Sequence, residues 1–544
     1  MKNISLILLL SVLLTGSCMQ SQKINSDLII KNATIYTVDN EFNDATTMVI
    51  KDGEIIAVGG DDILKKYISE NVVDAKGTFI YPGFNDGHSH FLGYGISISK
   101  YANLIGTNSF EDVVSKIEEH DKEFPSNWQL GRGWDQNDWE NKDFPDNRIL
   151  NEKFPDKAVV LTRVDGHAVI ANDFALNIIG ITKDTKIDGG EVIVKNNRPT
   201  GVLIDNAADL MKNAIPKFSK EEKSMALIKA QENCFAMGLT TVTDAGLNKE
   251  DILLIKDLQD EGKLKIKVYA MINPNEENFE YFYKLGPQHY DRLTVTSVKL
   301  YSDGALGSRG ALLLEPYSDD PDNYGLQMHP NTYFKNMCKR AYDANFQVNT
   351  HAIGDSGNRI MLKTYAEVLK EKNDRRWRVE HAQVVNPSDL KYFKNYSIIP
   401  SVQATHCTSD MYWADERLGK ERIKTAYAYK DLLMQNGWVV NGTDAPVEGY
   451  SPLKTFYAAV VRKDAKLWPE DGFQKENALS PEEALKSITI WPAKGSFDEQ
   501  TKGSLEVGKK ADFVILDRDL LNSKEKELMY TEVVATYVNG EKVY

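Results

Sequence analysis

The chain has 544 residues, of which 42% are hydrophobic and 26% are charged, a composition typical of a folded protein with more than one core. The formal net charge of -14 and the lack of a basic stripe in the sequence argue against nucleic-acid binding. The acidic balance by itself indicates no more than solubility.

The first residues have the pattern of an export signal. Lys2 precedes an apolar run, Ile4 to Leu14, which is too short to span a bilayer. Small residues at positions 16 and 17 then stand directly before Cys18, as in bacterial lipoproteins. We expect residues 1–17 to be a signal peptide, Cys18 to be the lipidated N-terminus and residues 18–27 to be a tether. Leu14 lies one position further from Cys18 than is usual, so a plain secretory signal remains the alternative.

This pattern predicts an exported lipoprotein that faces the periplasm or the cell exterior and touches the membrane only through its anchor. The other cysteines are Cys234, Cys338 and Cys407, an odd number without CxxC spacing. They therefore predict no disulfide framework, and we expect each to be a small buried hydrophobe.

Both ends of the chain are rich in strand patterns. Residues 28–80 contain β-branched runs separated by turn residues such as Lys51-Asp52-Gly53, and residues 496–544 repeat this character. Neither end alone is long enough for a full sandwich. We therefore predict one small β-sandwich domain formed from both termini.

The middle of the chain, residues 81–495, alternates between strand and helix, which predicts an α/β fold with a parallel sheet. With the apolar segment Gly77–Pro82 before His88 counted first, the pattern gives eight strands, the number in a (β/α)8 TIM barrel. The other seven runs lie at about 239–243, 265–272, 294–301, 346–350, 376–380, 397–403 and 437–441.

Residues from about 100 to 220 interrupt this alternation with aromatic and glycine-rich sequence. An insertion after the first barrel strand lies at the mouth of the barrel, so we predict that it forms a cap. Trp134 is predicted to bind substrate, because together with Trp139 and Trp413 it could line an apolar pocket; the alternative is that these residues are plain core.

Six side chains that can bind metals or move protons stand at predicted strand ends. His88 and His90 are one residue apart, so both imidazoles can reach one point, and imidazole is a common zinc ligand. The carboxyl ends of barrel strands converge on one mouth. The other members of the set lie at the ends of the fourth, fifth, sixth and eighth strands: Lys299, His351, His381 and Asp444.

Each of these residues has an ordinary explanation when it is taken alone. Lys299 could be solvated or salt-bridged, His351 and His381 could be satisfied interior histidines, and Asp444 could cap a helix. Pro446 weakens the last alternative because it turns the chain away from helix directly after Asp444. The coincidence of all six on one rim favours a metal site.

The ordered set HxH, Lys, His, His, Asp resembles the amidohydrolase superfamily, and specifically its amidohydrolase-3 branch with YtcJ-like members. The surrounding sequences Gly131–Trp139, Asp303–Gly310, Glu380–Gln383 and Gly442–Pro446 are similar to that branch as well. The resemblance covers residues 28–544 and implies a metal-dependent barrel with a β-sandwich built from both termini.

The resemblance also implies roles for the six residues. His88 and His90 would bind one divalent ion, His351 and His381 a second, and Lys299, carboxylated by CO2, would bridge two ions that we expect to be Zn²⁺. Asp444 would ligate metal and carry the proton of the attacking water to the leaving nitrogen. Asp444, Lys299 and His381 are thus the expected catalytic residues.

The function predicted in this way is hydrolysis of non-peptide carbon–nitrogen bonds in small amide or N-acyl substrates. The alternatives are a non-catalytic metal- or solute-binding lipoprotein and a mononuclear deacetylase that does not need carboxylated Lys299. His167, in an Asp-Gly-His context, is interpreted either as a substrate-binding residue of the cap or as structural. A homodimer is compatible with the sequence, which does not decide the oligomeric state.

Overall fold

The computed structural model describes residues 23–544. The predicted signal peptide and Cys18 lie outside the described residues. Within residues 23–544, no helix combines the length and the apolar character needed to cross a bilayer.

The centre of the molecule is a parallel barrel of eight strands, hydrogen-bonded in chain order from the first to the last. The strands are β1 (Phe84–Ser89), β2 (Leu239–Leu247), β3 (Lys267–Ile272), β4 (Leu293–Tyr301), β5 (Gln347–Ala352), β6 (Arg378–His381), β7 (Ile399–Val402) and β8 (Val440–Asn441). Past the end of β8 the ring is closed by two backbone hydrogen bonds of 2.7 Å, from Asp444 N–H to His88 O and from His90 N–H to Ala445 O. The predicted TIM barrel is confirmed.

Helices surround the barrel and bury one apolar face each against it. Lys220–Ala236 shows why such a segment is helical, because Ser219 and Glu222 form a capping box at its start and Leu227 and Cys234 are buried along one face. The other longer helices are Phe91–Lys100, Lys249–Asp260, Asn331–Asp343, Asp355–Leu369, Ala404–Asp410, Ala414–Arg422, Tyr429–Asn436, Pro452–Val461, Pro481–Ser487 and Ile490–Gly495. Cys234, Cys338 and Cys407 are buried and unpaired, as expected.

Both ends of the chain build the small β-domain. In its six-stranded sheet, Phe79–Pro82 pairs with Phe513–Leu516, which joins the N-terminal part to the C-terminal part. The remaining strands of that sheet are Thr34–Tyr36, Asp44–Ala45, Val533–Val538 and Glu541–Lys542. The facing four-stranded sheet contains Leu28–Lys31, Thr47–Lys51, Glu54–Gly59 and Val72–Asp74. Side chains such as Ile30, Ile50 and Phe513 form the core of this domain.

One strand differs from the sequence prediction. The apolar segment that ends at Pro82 belongs to the terminal β-domain, and the first barrel strand is Phe84–Ser89, which contains His88 itself. The sequence pattern did not predict this strand because the strand carries polar residues, which are buried and hydrogen-bonded inside the barrel. Gly83 separates the two strands, and a Cβ atom there would lie 2.3 Å from the side chain of Thr240.

The insertion forms a cap with its own six-stranded sheet. Its strands are Ala102–Asn103, Trp128–Trp134, Ala158–Arg163, Ala168–Ala171, Gly190–Lys195 and Arg198–Asp205, and its helices are Phe110–Glu123, Arg148–Lys153, Asp173–Ile178 and Asn206–Ala214. The sheet buries apolar side chains on both faces. Polar residues from its strands and loops, such as Arg132, Asp165 and His167, line the cavity at the mouth of the barrel.

Candidate metal centre

A compact group of three residues lies at the carboxyl end of the barrel. His88, His381 and Asp444 are buried, and each offers one ligand atom that lies within 4.8 Å of the other two. These residues come from β1, from β6 and from the loop after β8. Within residues 23–544, this is the group of His, Cys, Asp and Glu side chains that meets the geometry of an ion site.

His88 is oriented by Glu380. Its Nδ1 contacts the Glu380 carboxylate, which also accepts hydrogen bonds of 2.9 Å from Arg378 Nη2 and 2.7 Å from Ser401 Oγ. The carboxylate fixes the proton on Nδ1 and leaves the lone pair of Nε2 for a ligand. Burial lowers the pKa of His88 to about 4, so the imidazole is neutral at pH 7. Its Nε2 lies 3.4 Å from Asp444 Oδ1.

His381 and Asp444 enter the site through an unusual backbone conformation. Their φ angles are 70° and 59°, in the left-handed region that favours glycine. Along β6, alternation turns Arg378 and Glu380 to the barrel interior, so His381 would point outward in a regular strand. The left-handed turn lets both Glu380 and His381 face the site, which is the type of local strain found at functional positions.

Two atoms of this group have no hydrogen-bond partner within the described residues: His381 Nδ1 and Asp444 Oδ1. Burial lowers the pKa of His381, which is therefore neutral. Burial alone raises the pKa of Asp444, but His90, His88 and His381 around it hold that pKa well below its usual range. Neutral imidazoles and one ionised carboxylate form a donor set that fits a divalent cation such as zinc.

Asp444 does not cap a helix. The next helix, Pro452–Val461, begins well after it and is capped by Ser451, and Asp444 N–H is bonded to His88 O instead. Asp86 fixes this loop against β1 by accepting hydrogen bonds from Thr443 N at 3.0 Å and from Thr443 Oγ1 at 2.6 Å. The structure therefore removes the helix-cap alternative for this carboxylate.

Lys299 lies inside the same site. Its side chain is fully buried, and its Nζ lies 3.2 Å from His88 Nε2 and 5.0 Å from the ring centre of Tyr301. No carboxylate of residues 23–544 comes within 4.0 Å of this nitrogen, so Lys299 is neither a solvated nor a salt-bridged lysine. Burial lowers the pKa of Lys299 to about 8, which leaves part of the amine unprotonated near neutral pH.

His90 and His351 border the compact group. His90 Nε2 lies 3.3 Å from Asp444 Oδ1, and the ring centre of His351 lies 4.5 Å from that of His381. His351 Nε2 also lies 3.3 Å from the carbonyl oxygen of Gly304. The structure thus brings all six predicted residues to one place, with His90, Lys299 and His351 around the central three.

A cavity of about 680 Å³ opens between this group and the cap. Its barrel side includes His90, Lys299, His351, His381 and Asp444, and its cap side includes Arg132, His167 and Asp205. This volume is suitable for a small molecule.

His167 reaches the cavity from the cap. Its Nδ1 lies 2.7 Å from Asp205 Oδ1, and its ring centre lies 4.8 Å from that of His351. Burial lowers the pKa of His167, but the hydrogen bond and charge of Asp205 outweigh this effect and raise the pKa above its ordinary value.

Trp134 lies elsewhere, contrary to the expectation that it binds substrate. It is fully buried in the core of the cap, where its Nε1 donates a hydrogen bond of 2.8 Å to Leu161 O. A register shift between Arg132 and Trp134, with Gly133 at a φ of 107°, breaks the strand alternation. Arg132 therefore faces the cavity while Trp134 faces the core. Trp139 and Trp413 are also core residues.

The sequence prediction missed three residues at or near this site. Glu380 stands directly before His381, and strand alternation could have placed it inside the barrel. Arg132 was hidden by the register shift in the cap. His406 follows β7, from which no site residue was predicted, and its buried Nε2 lies 3.9 Å from Asp444 Oδ2.

The chain is similar to known proteins over most of its length. The profile of the amidohydrolase family matches residues 71–544. The chain belongs to the amidohydrolase family. Among curated relatives, this amidohydrolase is 32% identical to amidohydrolase YtcJ of Bacillus subtilis (strain 168) over 527 residues, which cover 94% of this chain and 98% of YtcJ. It is also 25% identical to the N-substituted formamide deformylase of Arthrobacter pascens, over 94% of this chain and 97% of that enzyme.

A solved structure supports the same assignment. The amidohydrolase resembles the crystal structure of an uncharacterized metal-dependent hydrolase from Pyrococcus horikoshii OT3, with a TM-score of 0.74 and 30% sequence identity. The match covers 92% of this chain and 99% of that chain. The family predicted from the strand-end residues is confirmed, and the protein is a metal-dependent hydrolase of the amidohydrolase family.

Proposed function

We propose that this amidohydrolase cleaves carbon–nitrogen bonds other than peptide bonds, in small amide or N-acyl substrates. The observation that carries the proposal is the buried group of His88, His381 and Asp444, whose ligand atoms lie within 4.8 Å of one another beside the cavity. The similarity to an N-substituted formamide deformylase supports an amide-type bond as the target.

The residues that would hold metal are His88, His90, Lys299, His351, His381 and Asp444. A bound divalent ion would lower the pKa of a water molecule and polarise the substrate carbonyl. Glu380 keeps His88 in the tautomer that presents Nε2, and the cap forms the opposite side of the cavity.

Asp444 is the proposed proton carrier. Its low pKa keeps it ionised, so it can accept a proton from the attacking water and then donate it to the leaving nitrogen. Oδ1 faces His88 and His90, and Oδ2 lies 3.9 Å from His406 Nε2. The Asp444 carboxylate thus lies beside the proposed metal ligands His88 and His90 through Oδ1 and beside His406 through Oδ2.

Lys299 is proposed to be carboxylated and to bridge two zinc ions. An unprotonated amine can attack CO2, lose its proton and become an anionic carbamate, and the lowered pKa of Lys299 favours that form. A cationic lysine would repel metal, whereas a carbamate would attract it. The compact group has only three residues within the described chain, which favours a mononuclear deacetylase as the second candidate.

The decisive experiment combines metal analysis with a substrate panel. Protein reconstituted with zinc and bicarbonate should contain about two ions per chain and should hydrolyse at least one N-formyl or N-acetyl amine. One ion per chain with the same activity would select the mononuclear candidate. Metal binding without hydrolysis across the panel would favour the non-catalytic binding protein.

The localisation is also a proposal. We propose that Cys18, which lies outside the described residues, is lipidated and anchors the enzyme to the bacterial envelope. Cys18→Ala should release the protein from membranes in soluble form. Wild-type protein that is already soluble and is cleaved elsewhere would contradict this anchor.

A further inference from the structure

Two arginines on neighbouring cap strands differ in their partners. Arg163 contacts the carboxylates of Asp135 and Asp165 and is almost fully buried. Arg132 has no carboxylate of residues 23–544 within 4.0 Å, although its side chain lines the cavity. One of the two charges is neutralised inside the protein, and the other is not.

The hydrogen bonds of Arg132 are also incomplete. Its Nη2 donates one bond of 3.0 Å to Val164 O, and its buried Nε has no partner within the described residues. No bond from Nη1 is found in that part of the chain. A guanidinium has five N–H donors, so most of its donors remain free.

Three acidic groups that line the same cavity as Arg132 are already engaged. Asp165 pairs with Arg163 and accepts the N–H of His167 at 3.0 Å. Asp205 holds His167 Nδ1 at 2.7 Å, and Asp444 belongs to the metal group. None of these carboxylates is left over to neutralise the Arg132 guanidinium from within the protein.

A partly buried cation without a partner is costly unless a ligand supplies the opposite charge. The planar fork of arginine matches a carboxylate in two parallel hydrogen bonds. We propose that Arg132 binds a carboxylate of the substrate on the cap side of the cavity. This inference rests on the proposed function and narrows its substrates to amides or N-acyl compounds that carry a carboxylate near the scissile bond.

The test compares two substrates that differ only in this group, N-acetylphenylalanine (both enantiomers) and N-acetylphenethylamine. Zinc-loaded wild-type enzyme should prefer the carboxylate compound in kcat/KM. Arg132→Gln should lower kcat/KM for that compound by about 10- to 100-fold and leave the neutral compound unchanged, because a charged hydrogen-bond pair is lost. Arg132→Lys should recover part of the loss.

Lys195→Gln is the matched control, since Lys195 is an exposed cation on the cap sheet outside the cavity lining. Lys195→Gln should leave kcat/KM unchanged for both substrates. Equal kcat/KM for both compounds in the wild type, or equal losses on both in Arg132→Gln, would overturn the carboxylate subsite while the hydrolase proposal stands.

A binding measurement separates this inference from the proposed function. Calorimetry on metal-free wild-type protein and on metal-free Arg132→Gln measures binding of the same two compounds without turnover. Weaker binding of N-acetylphenylalanine alone in the variant supports the subsite even if no hydrolysis is ever seen. Unchanged binding in the variant, or no binding of N-acetylphenylalanine to either protein, contradicts it.

Discussion

The charged groups at the two ends of the barrel differ in how they are paired. At the amino end, Lys267 at the start of β3 contacts Asp512 of the terminal β-domain and donates a hydrogen bond of 2.8 Å to Asn539. Arg376 nearby makes bonds of 3.0 Å to both oxygens of Glu499. Charges at this end are therefore satisfied within the chain, and they join the barrel to the β-domain.

At the carboxyl end, polar atoms are buried without partners. His381 Nδ1, Asp444 Oδ1 and His406 Nε2 lack hydrogen bonds within the described residues. Such atoms are costly in a folded protein, and a bound ion, a water molecule or a catalytic role accounts for them. The proposed function therefore belongs to the carboxyl end, whereas the ion pairs at the amino end stabilise the fold.

The largest effect is expected from Asp444→Asn at the carboxyl end. The variant keeps the shape of the side chain but loses its basicity, so turnover of a confirmed substrate should fall about 10²- to 10⁴-fold. The thermal unfolding temperature should change little, because Asp444 Oδ1 makes no hydrogen bond within residues 23–544. Near wild-type turnover would show that Asp444 does not carry the proton.

At the amino end, the corresponding substitution Asp512→Asn should lower the stability of the protein and leave its turnover unchanged. It leaves the buried Lys267 cation without its counter-charge, which should lower the free energy of unfolding by about 3 kcal/mol. The kcat of folded enzyme should stay near the wild-type value, since the change lies at the far end of the barrel. A large loss of kcat with unchanged stability would contradict the expectation that the amino end contributes to stability and not to catalysis.

Glu380→Gln tests the residue that orients His88. The amide cannot hold the Nδ1 proton as the carboxylate does, so zinc affinity should fall about 10- to 100-fold in a competition titration with a chelator. Circular dichroism should verify that the variant is folded, because Arg378 loses its charge partner. If a folded variant has the zinc affinity of the wild type, Glu380 does not support zinc binding.

The smallest effect is a pH dependence of stability at the amino end. Burial raises the pKa of Asp498, but Lys502 and His289 outweigh it and lower the pKa to about 2. Because the folded pKa lies below the ordinary value of 3.8, this group stabilises the fold above that value. The contribution is lost as the pH falls towards 2.

Urea unfolding of metal-free protein between pH 5 and pH 2.5 measures this contribution. The free energy of unfolding should fall less steeply with acid in Asp498→Asn than in the wild type, because the variant has no carboxylate to protonate there. Identical slopes for the two proteins would contradict the lowered pKa.

Much of this architecture could be predicted from periodicity. Apolar runs mark β2 to β8, and His351 and His381 stand at the ends of β5 and β6 as expected. The first strand, Phe84–Ser89, was misplaced because its polar residues are paired inside the barrel and do not follow an apolar pattern. Sequence periodicity shows which residues are apolar, but it does not show how buried polar residues are paired.

The cap shows a second limit of prediction from local sequence patterns. Arg132 and Trp134 would share one face of a regular strand, and only the register shift at Gly133 sends them to opposite sides. Likewise, the role of Glu380 depends on its contact with His88, almost 300 positions earlier in the chain. Such long-range contacts are absent from local patterns, which is why the orienting and substrate-side residues became visible only in the structure.

The zinc content of His381→Ala, measured beside that of wild-type protein, tests the metal centre directly. Both are reconstituted with zinc and bicarbonate, dialysed and measured by elemental analysis, with circular dichroism to verify folding. We expect about two ions per chain in the wild type and a clear loss in the folded variant. Wild-type protein without zinc, or a folded variant with undiminished zinc, would contradict a metal centre built on His88, His381 and Asp444.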